Sequence, residues 1–384
     1  MARQEIVALN LIRGPIERRD YASEQGKPNS EFSFIDCGLG HSPFEYPGQV
    51  NDVLGGITKD LLREYPADPY AKRLGVHVRE RFGLNKKTEV FFGGCGSYGL
   101  LASIFSDFVS SDMVKSSGLE LVGYGPQFTN VVVLADRARI PYMAVQSPLL
   151  EPIEVKISDL CDYLQRRKGP AVVYVDNPNN PTGDVINGES LKALVMLTQK
   201  RGDLLIVDEA FGDSIPDGMS AFGLMENANN MIVTRSLSKV IGLASPRLGY
   251  MAMSRPLAEV YKNIELVFSV DTFTGLVGEV ALEPVMLAEF LPDVRKKTEL
   301  IKRQMVRVLQ EVGIDVFGSH PMVSILLARG EGNFYKTLLD LGIGTEDGAT
   351  FKPTHENMDS SLVRMRIPGS LGRVAEIRKR LEKI

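Results

Sequence analysis

Thr234-Arg235-Ser236-Leu237-Ser238-Lys239 follows directly on the apolar run Met231-Ile232-Val233, and Arg247 comes eight residues after the lysine. A lysine at a strand end can form a Schiff base with a carbonyl compound. Two hydroxyls and an arginine in one short loop can hold a phosphate. Ser-x-Ser-Lys alone is more often a polar turn at the surface. The neighbouring segments decide between the two readings.

Ala171-Val172-Val173-Tyr174-Val175 empties into Asp176-Asn177-Pro178-Asn179-Asn180-Pro181-Thr182-Gly183. Leu204-Leu205-Ile206-Val207 ends in Asp208-Glu209-Ala210-Phe211, and 191–201 between them reads as a helix. Each loop follows a strand in a βα pattern, so the loops should gather at the carboxyl ends of one parallel sheet. Taken singly, the proline-asparagine stretch could be a turn and Asp208 a helix cap. Together they suit pyridoxal 5'-phosphate. Its ring nitrogen must stay protonated, which a buried Asp208 would ensure. The Asn180 amide would bond the phenolic oxygen. Lys239 would carry the cofactor and then act as general base and acid at the substrate's α-carbon.

These residues, with Arg247-Leu248-Gly249-Tyr250, resemble the fold-type I pyridoxal-phosphate enzymes of the class I/II aminotransferase superfamily. The nearest likeness is to histidinol-phosphate aminotransferases and threonine-phosphate decarboxylases, in order and spacing over 35–280. The resemblance implies an α/β fold: a three-layer, mostly parallel sheet with a smaller C-terminal α/β domain. It implies an aminotransferase passing an amino group from an amino acid to a 2-oxo acid through Lys239, working as a homodimer. Gly96, Ser97 and Tyr98 would hold the cofactor phosphate together with Ser236, Ser238 and Arg247. Phe128 would stack on the pyridine ring. Tyr65, in Glu64-Tyr65-Pro66, would reach the phosphate of the neighbouring subunit. On the last strand Arg364 and Arg366 alternate and so share a face. One of them would fork onto the substrate carboxylate, with Arg364 preferred.

The chain departs from the family in three places. Phe211 stands where many aminotransferases have a tyrosine; phenylalanine also occurs at this place in the threonine-phosphate decarboxylase relatives. Ser245-Pro246 replaces a glycine-apolar pair before Arg247. Cys37-Gly38-Leu39-Gly40-His41-Ser42-Pro43 replaces an asparagine-rich segment bordering the substrate, which points to a different substrate. The alternative within the same cofactor chemistry is a decarboxylase, lyase or racemase. A remote alternative is an NAD-dependent dehydrogenase. Gly94-Cys95-Gly96-Ser97-Tyr98-Gly99 fits G-x-G-x-x-G after a strand, with Glu120 in the range of a ribose-binding acid. That reading leaves Lys239, Asp208 and Asn180 without a task.

Composition sets outer bounds. With 384 residues, two domains are expected. Net charge is −4 and no basic block occurs, which argues against nucleic acid. No stretch is apolar for the roughly 18 residues a membrane span needs. Met1–Asp20 lacks the continuous apolar core of a signal peptide. Three cysteines, an odd number, suit a reducing compartment such as the cytoplasm. The four histidines are scattered, so no metal site is expected. Residues 1–45 read as an N-terminal segment packing on the small domain, 46–284 as the large cofactor domain, and 285–384 as the small domain. Within the last, 292–312 reads as a helix, and 322–328 and 362–367 as strands.

Overall fold

The computed structural model describes residues 32–109 and 118–383. Met1–Asp20, and with it most of the segment expected over 1–45, lies outside the described residues.

The large sheet has seven strands: β2 (Thr88–Gly93), β3 (Leu121–Tyr124), β4 (Tyr142–Val145), β5 (Val172–Asp176), β6 (Leu204–Glu209), β7 (Met231–Ser236) and β8 (Gly249–Ser254), in the order β2-β8-β7-β6-β5-β3-β4. β4, β3, β5, β6 and β7 are parallel, while β8 runs antiparallel to both β7 and β2. The continuous apolar runs are explained by burial on both faces. Val173, Val175, Leu205, Val207 and Val233 join one apolar cluster, while Val172, Tyr174, Ile206 and Ile232 join the other. Helices Ile153–Arg166 and Gly188–Arg201 cover the first face, and Gly96–Ser103 and Asn130–Arg137 the second. The 188–201 helix has both end signals. The Asn187 side chain accepts from the Ser190 amide at 2.8 Å, and Gly202 closes it in the left-handed conformation.

A second, antiparallel sheet has the order β12 (Glu346–Asp347), β13 (Leu362–Arg366), β10 (Ile325–Arg329), β9 (Asp315–Val316). β1 (Ile35–Asp36) pairs in parallel with β11 (Ile343–Gly344). Ile35 and Cys37 share an apolar cluster with Leu326, Val363, Met365 and Ile377. The start of the described chain therefore belongs to the C-terminal unit.

Two elements differ from expectation. The long helix runs Pro284–Glu311 and carries Pro292 inside it. Glu283 caps it, accepting from the amides of Val285 and Met286, and Pro284 sits in the first turn, where no N–H is needed. Met286, Leu287, Leu291 and Val294 pack in the large core, and Ile301, Met305, Val308 and Leu309 in the small one. Anchorage at both ends outweighs the hydrogen bond Pro292 forfeits. The strand expected at Met322 starts only at Ile325, because the Val323 amide is turned back onto His320 O at 3.1 Å.

Candidate active site

Asp176, Asp208 and Thr234 are direct neighbours across β5, β6 and β7, so the loops beyond them leave the sheet at one level. Asp208 is 3 % exposed. It accepts from the Tyr174 hydroxyl at 2.9 Å, the Thr234 hydroxyl at 2.9 Å and the Ala210 amide at 3.0 Å. Burial pushes its carboxyl up from the usual range, and these donors oppose the shift. It has no salt-bridge partner among the described residues. A buried carboxylate held by neutral donors favours a cation placed against it.

The anion-binding half lies where β7 ends beside the Gly94–Gly99 loop. Arg247 donates from Nη1 to Ser238 Oγ at 3.0 Å and from Nη2 to Cys95 O at 3.2 Å. Arg247 itself has φ +59, a conformation costing a non-glycine residue about 1–3 kcal/mol. Its carbonyl accepts from Gly96 N at 2.7 Å, which ties the two loops together. A Cβ on Gly96 would lie 3.2 Å from Ser236 Oγ, 3.4 Å from Arg247 Nη2 and 3.7 Å from Ser238 Oγ. Gly249 must also be glycine, since a Cβ there would meet Gly96 C at 2.4 Å. Ser97 is buried in the first turn of helix Gly96–Ser103, so hydroxyls, guanidinium and a helix N-terminus converge. The Tyr98 side chain packs against the core instead, leaving only its backbone for this loop.

Lys239 stands with its Nζ 5.2 Å from the centre of the Phe211 ring. Burial, then the positive charges of Arg364 and Arg247, lower its amine to about 8. About one-tenth of it is therefore the neutral nucleophile at pH 7. In the cofactor-free protein an amine-modifying reagent should label Lys239 with a half-maximal rate near pH 8. Arg364→Gln should move that midpoint to higher pH, by removing a charge that disfavours the ammonium. Peptide mapping against pH checks both, and an unmoved midpoint would separate the two residues electrostatically.

The two arginines of β13 part company. Arg364, 1 % exposed, donates from Nη1 to Asn180 Oδ1 at 3.2 Å and from Nη2 to Gly38 O, and pairs with Glu346 at 2.5 Å. Arg366 donates from Nε to Leu39 O at 2.8 Å and pairs with Asp36 at 3.1 Å, which pins the 36–39 segment. A Cβ on Gly40 would lie 3.2 Å from Lys239 Nζ and 3.7 Å from Arg364 Nη1. Lys239 and Arg364 thus converge on one point, while Arg366 faces the segment that covers it.

Asn180 also donates its backbone amide to Asp176 at 3.0 Å. Asp176, buried and pushed up to about 6, accepts as well from Phe128 N, Tyr124 Oη and Asn179 Nδ2, each at 3.0 Å. It fixes the Phe128 and Asn180 loops against each other. Tyr65 is set apart, 80 % exposed, with its ring stacked on Phe268 at 4.8 Å. Sequence reasoning missed Tyr174, Thr234, Asp176, Gly40 and Glu346. Only the first had a local signal, a tyrosine in an otherwise aliphatic run.

The donor set fits pyridoxal phosphate. It offers an anion cradle that leaves room only for glycine, a buried carboxylate for a protonated ring nitrogen, and an amine of lowered basicity for a carbonyl. A dinucleotide does not fit. Glu120 precedes β3, at the opposite end of the strand from the site, and is bound to Arg167 at 3.2 Å. β2 is an edge strand separated from β3 by four others.

The family model "Aminotransferase class I and II" matches residues 62–371, and the chain belongs to that family. It is a pyridoxal-phosphate-dependent aminotransferase acting on an amino acid. A histidinol-phosphate aminotransferase of Caldanaerobacter subterraneus is 28 % identical over 303 residues, covering 79 % of this chain and 81 % of its own. Two solved structures share the fold. The histidinol-phosphate aminotransferase of Sinorhizobium meliloti, in complex with pyridoxal-5'-phosphate, has TM-score 0.73 and 19 % identity, with 91 % of each chain covered. The L-threonine-O-3-phosphate decarboxylase of Porphyromonas gingivalis has TM-score 0.74 and 15 % identity, covering 91 % of this chain and 98 % of that one.

Proposed function

We propose that Lys239 is the catalytic residue of this aminotransferase and that Arg364 receives the carboxylate of its amino acid and 2-oxo acid substrates. The convergence of Lys239 Nζ and Arg364 Nη1 at Gly40 carries this reading. Gly96, Ser97, the Tyr98 backbone, Ser236, Ser238 and Arg247 hold the cofactor phosphate. Asp208 faces the ring nitrogen, Asn180 the phenolic oxygen and Phe128 the ring. Bound pyridoxal phosphate supplies a carbonyl for the substrate amine and a ring that draws electrons from the α-carbon. With the cofactor in place, Lys239 would be the base that takes the proton from the substrate's α-carbon and the acid that gives it back. The packed segment around Gly38–Gly40 keeps water from that amine. Incubation with an amino acid panel and 2-oxoglutarate tests the proposal. Keto acid without carbon dioxide is expected, and stoichiometric carbon dioxide would move the chain to the decarboxylases.

Arg364→Lys keeps the charge and loses the planar fork. It should raise KM and lower kcat/KM by about tenfold to a hundredfold, the worth of one charge-assisted hydrogen bond of roughly 1.5–3 kcal/mol. Arg366→Lys should lower the melting temperature while leaving KM within about threefold, because Arg366 binds the 36–39 backbone. The reverse pattern in steady-state kinetics would exchange their roles.

The active unit is proposed to be a homodimer, with Tyr65 reaching the other subunit's phosphate site. Leu61, Tyr65, Leu266, Val267 and Phe268 are all exposed, and the Tyr65 and Phe268 rings stack. Such grouped apolar exposure suits a covered surface. Sedimentation at assay concentration checks it, and a fully active monomer would overturn it. The proposed division keeps 46–284 and 285–384 as large and small domains, with the 284–311 helix shared and the preceding segment on the small one. The proposed location is the cytoplasm. Its support is three free cysteines and the lack, among described residues, of a helix long and apolar enough to cross a membrane.

A further inference from the structure

Lys302 is 2 % exposed, on the stretch of the Pro284–Glu311 helix that packs in the small core. Its Nζ donates to Ser319 Oγ at 2.5 Å, His320 O at 2.8 Å, Val323 O at 2.7 Å and Ile325 O at 2.8 Å. The Ser319 hydroxyl donates its own hydrogen to Ile325 O at 3.1 Å, so all four oxygens are acceptors toward the lysine. Burial lowers the amine to about 7, against the charge of Asp184. Four acceptors suit its protonated form, which alone has three N–H groups. No carboxylate pairs with Lys302 among the described residues. A buried cation held only by neutral oxygens is a costly way to fill space. What it does is fold the 319–325 turn inward around one point.

That turn is where the small unit bears on the Asn180 loop. A Cβ on Gly183, which has φ +76, would run into Ser319 Oγ and Ile325 O. Gly183 O accepts from His320 N at 3.0 Å. Gly183 N in turn donates to Asn179 O at 2.9 Å, and Asn179 N to Asp184 O at 2.8 Å. Residues 179–184 therefore form a closed loop that carries Asn180 with it. Beyond the turn, β10 begins at Ile325, whose partner on β13 is Arg366. On that same strand Arg364 bonds Asn180 Oδ1, which leaves Asn180 Nδ2 as the donor toward a cofactor. We propose that Lys302 is a positioning residue: by gathering the 319–325 turn it seats Gly183 and so sets where the Asn180 amide meets the cofactor's phenolic oxygen. The inference rests on the role given to Asn180 above.

A double-mutant cycle of Lys302→Met and Asn180→Ala tests it. Two readouts are taken: the Kd of pyridoxal 5'-phosphate for the cofactor-free protein, and the pH midpoint of the holoenzyme's absorbance change. Asn180→Ala removes a donor to an oxygen that carries negative charge. It should weaken binding about tenfold or more and raise the midpoint. Lys302→Met should move both the same way, with Kd weaker by about threefold to tenfold. Added to Asn180→Ala, it should change Kd by less than about twofold, because the bond it positions is already gone. A lysine that only stabilises the fold would lower the melting temperature and leave both readouts unmoved, or change them equally in both backgrounds. Either result overturns the proposal. Ser319→Ala keeps the lysine and removes the hydroxyl lying between it and Gly183. It should weaken Kd by about threefold with Asn180 present and leave it unchanged in Asn180→Ala, and it decides the matter if Lys302→Met does not fold. Failure of the underlying reading looks different: Asn180→Ala would itself leave affinity and absorbance unchanged, which removes Asn180, and Lys302 with it, from the cofactor.

Discussion

Lys239→Ala should fold, take up cofactor and turn over at no more than about one-thousandth of the wild-type rate, since the substitution removes the proposed covalent attachment point and general base. The fold has little stake in this side chain. Among the described residues its Nζ makes no hydrogen bond and faces the Phe211 ring, whereas the loop is held by Leu237 N on Leu248 O at 3.1 Å and Leu243 N on Leu237 O at 3.1 Å. The phosphate cradle and Asp208 are built without it, so cofactor retention should survive. Rapid mixing with an amino acid, followed by absorbance, separates binding from proton transfer. Melting temperature serves as the control. Activity within a few-fold of wild type would remove Lys239 from the chemistry and with it the main support for the site. An added small primary amine should recover part of the rate in the variant, because the missing function is a proton acceptor in a space the alanine leaves open.

The parts legible in the sequence were those where one short segment carries both structure and chemistry. Val172–Asp176, Leu204–Glu209 and Met231–Ser236 are apolar on both faces because helices cover both, and each delivers its polar residue directly at the strand end. Asp208, Asn180, Ser236, Ser238 and Lys239 could therefore be named from local pattern. What stayed hidden needed tertiary information. Choosing between Arg364 and Arg366 required knowing that β1 and its following segment lie over β13. Two alternating arginines look alike until Leu39 O and Asp36 claim one of them. Glu346 sits in a two-residue strand whose pairing with β13 no periodicity signals. Pro292 suggested a helix start because the capping carboxylate, Glu283, precedes an earlier proline that does that job. The glycine-rich loop was legible as a phosphate grip but not as to whose phosphate. The ladder order, with antiparallel β8 between β2 and β7, decides against a dinucleotide.

Asp208→Asn should cost kcat about 10²–10⁴, the equivalent of the roughly 3–5 kcal/mol lost when one member of a buried charge pair is neutralised. The shape of the site allows the exchange. Asp208 Oδ1 accepts from the Ala210 amide and the Thr234 hydroxyl, while Oδ2 accepts, among the described residues, from the Tyr174 hydroxyl alone. An asparagine carbonyl in the first position keeps both of those bonds. Its NH2 in the second can donate to the Tyr174 oxygen, since a hydroxyl rotates to accept. Burial holds the Tyr174 hydroxyl protonated, so it does not replace the missing anion. The variant therefore loses a charge and little else, and the melting temperature of the cofactor-free protein should stay within about 4 °C of wild type. It should rise slightly if anything, because the raised carboxyl of Asp208 reports an unfavourable burial that the amide avoids. With cofactor the balance reverses. A protonated ring nitrogen left without its counter-ion should give up its proton, weakening both affinity and the pull on the substrate's α-carbon. Cofactor dissociation constants and single-turnover rates, measured on variant and wild type, separate these effects. A variant that binds cofactor as tightly and turns over as fast would reduce Asp208 to a link between β5, β6 and β7, and the ring nitrogen would need another partner.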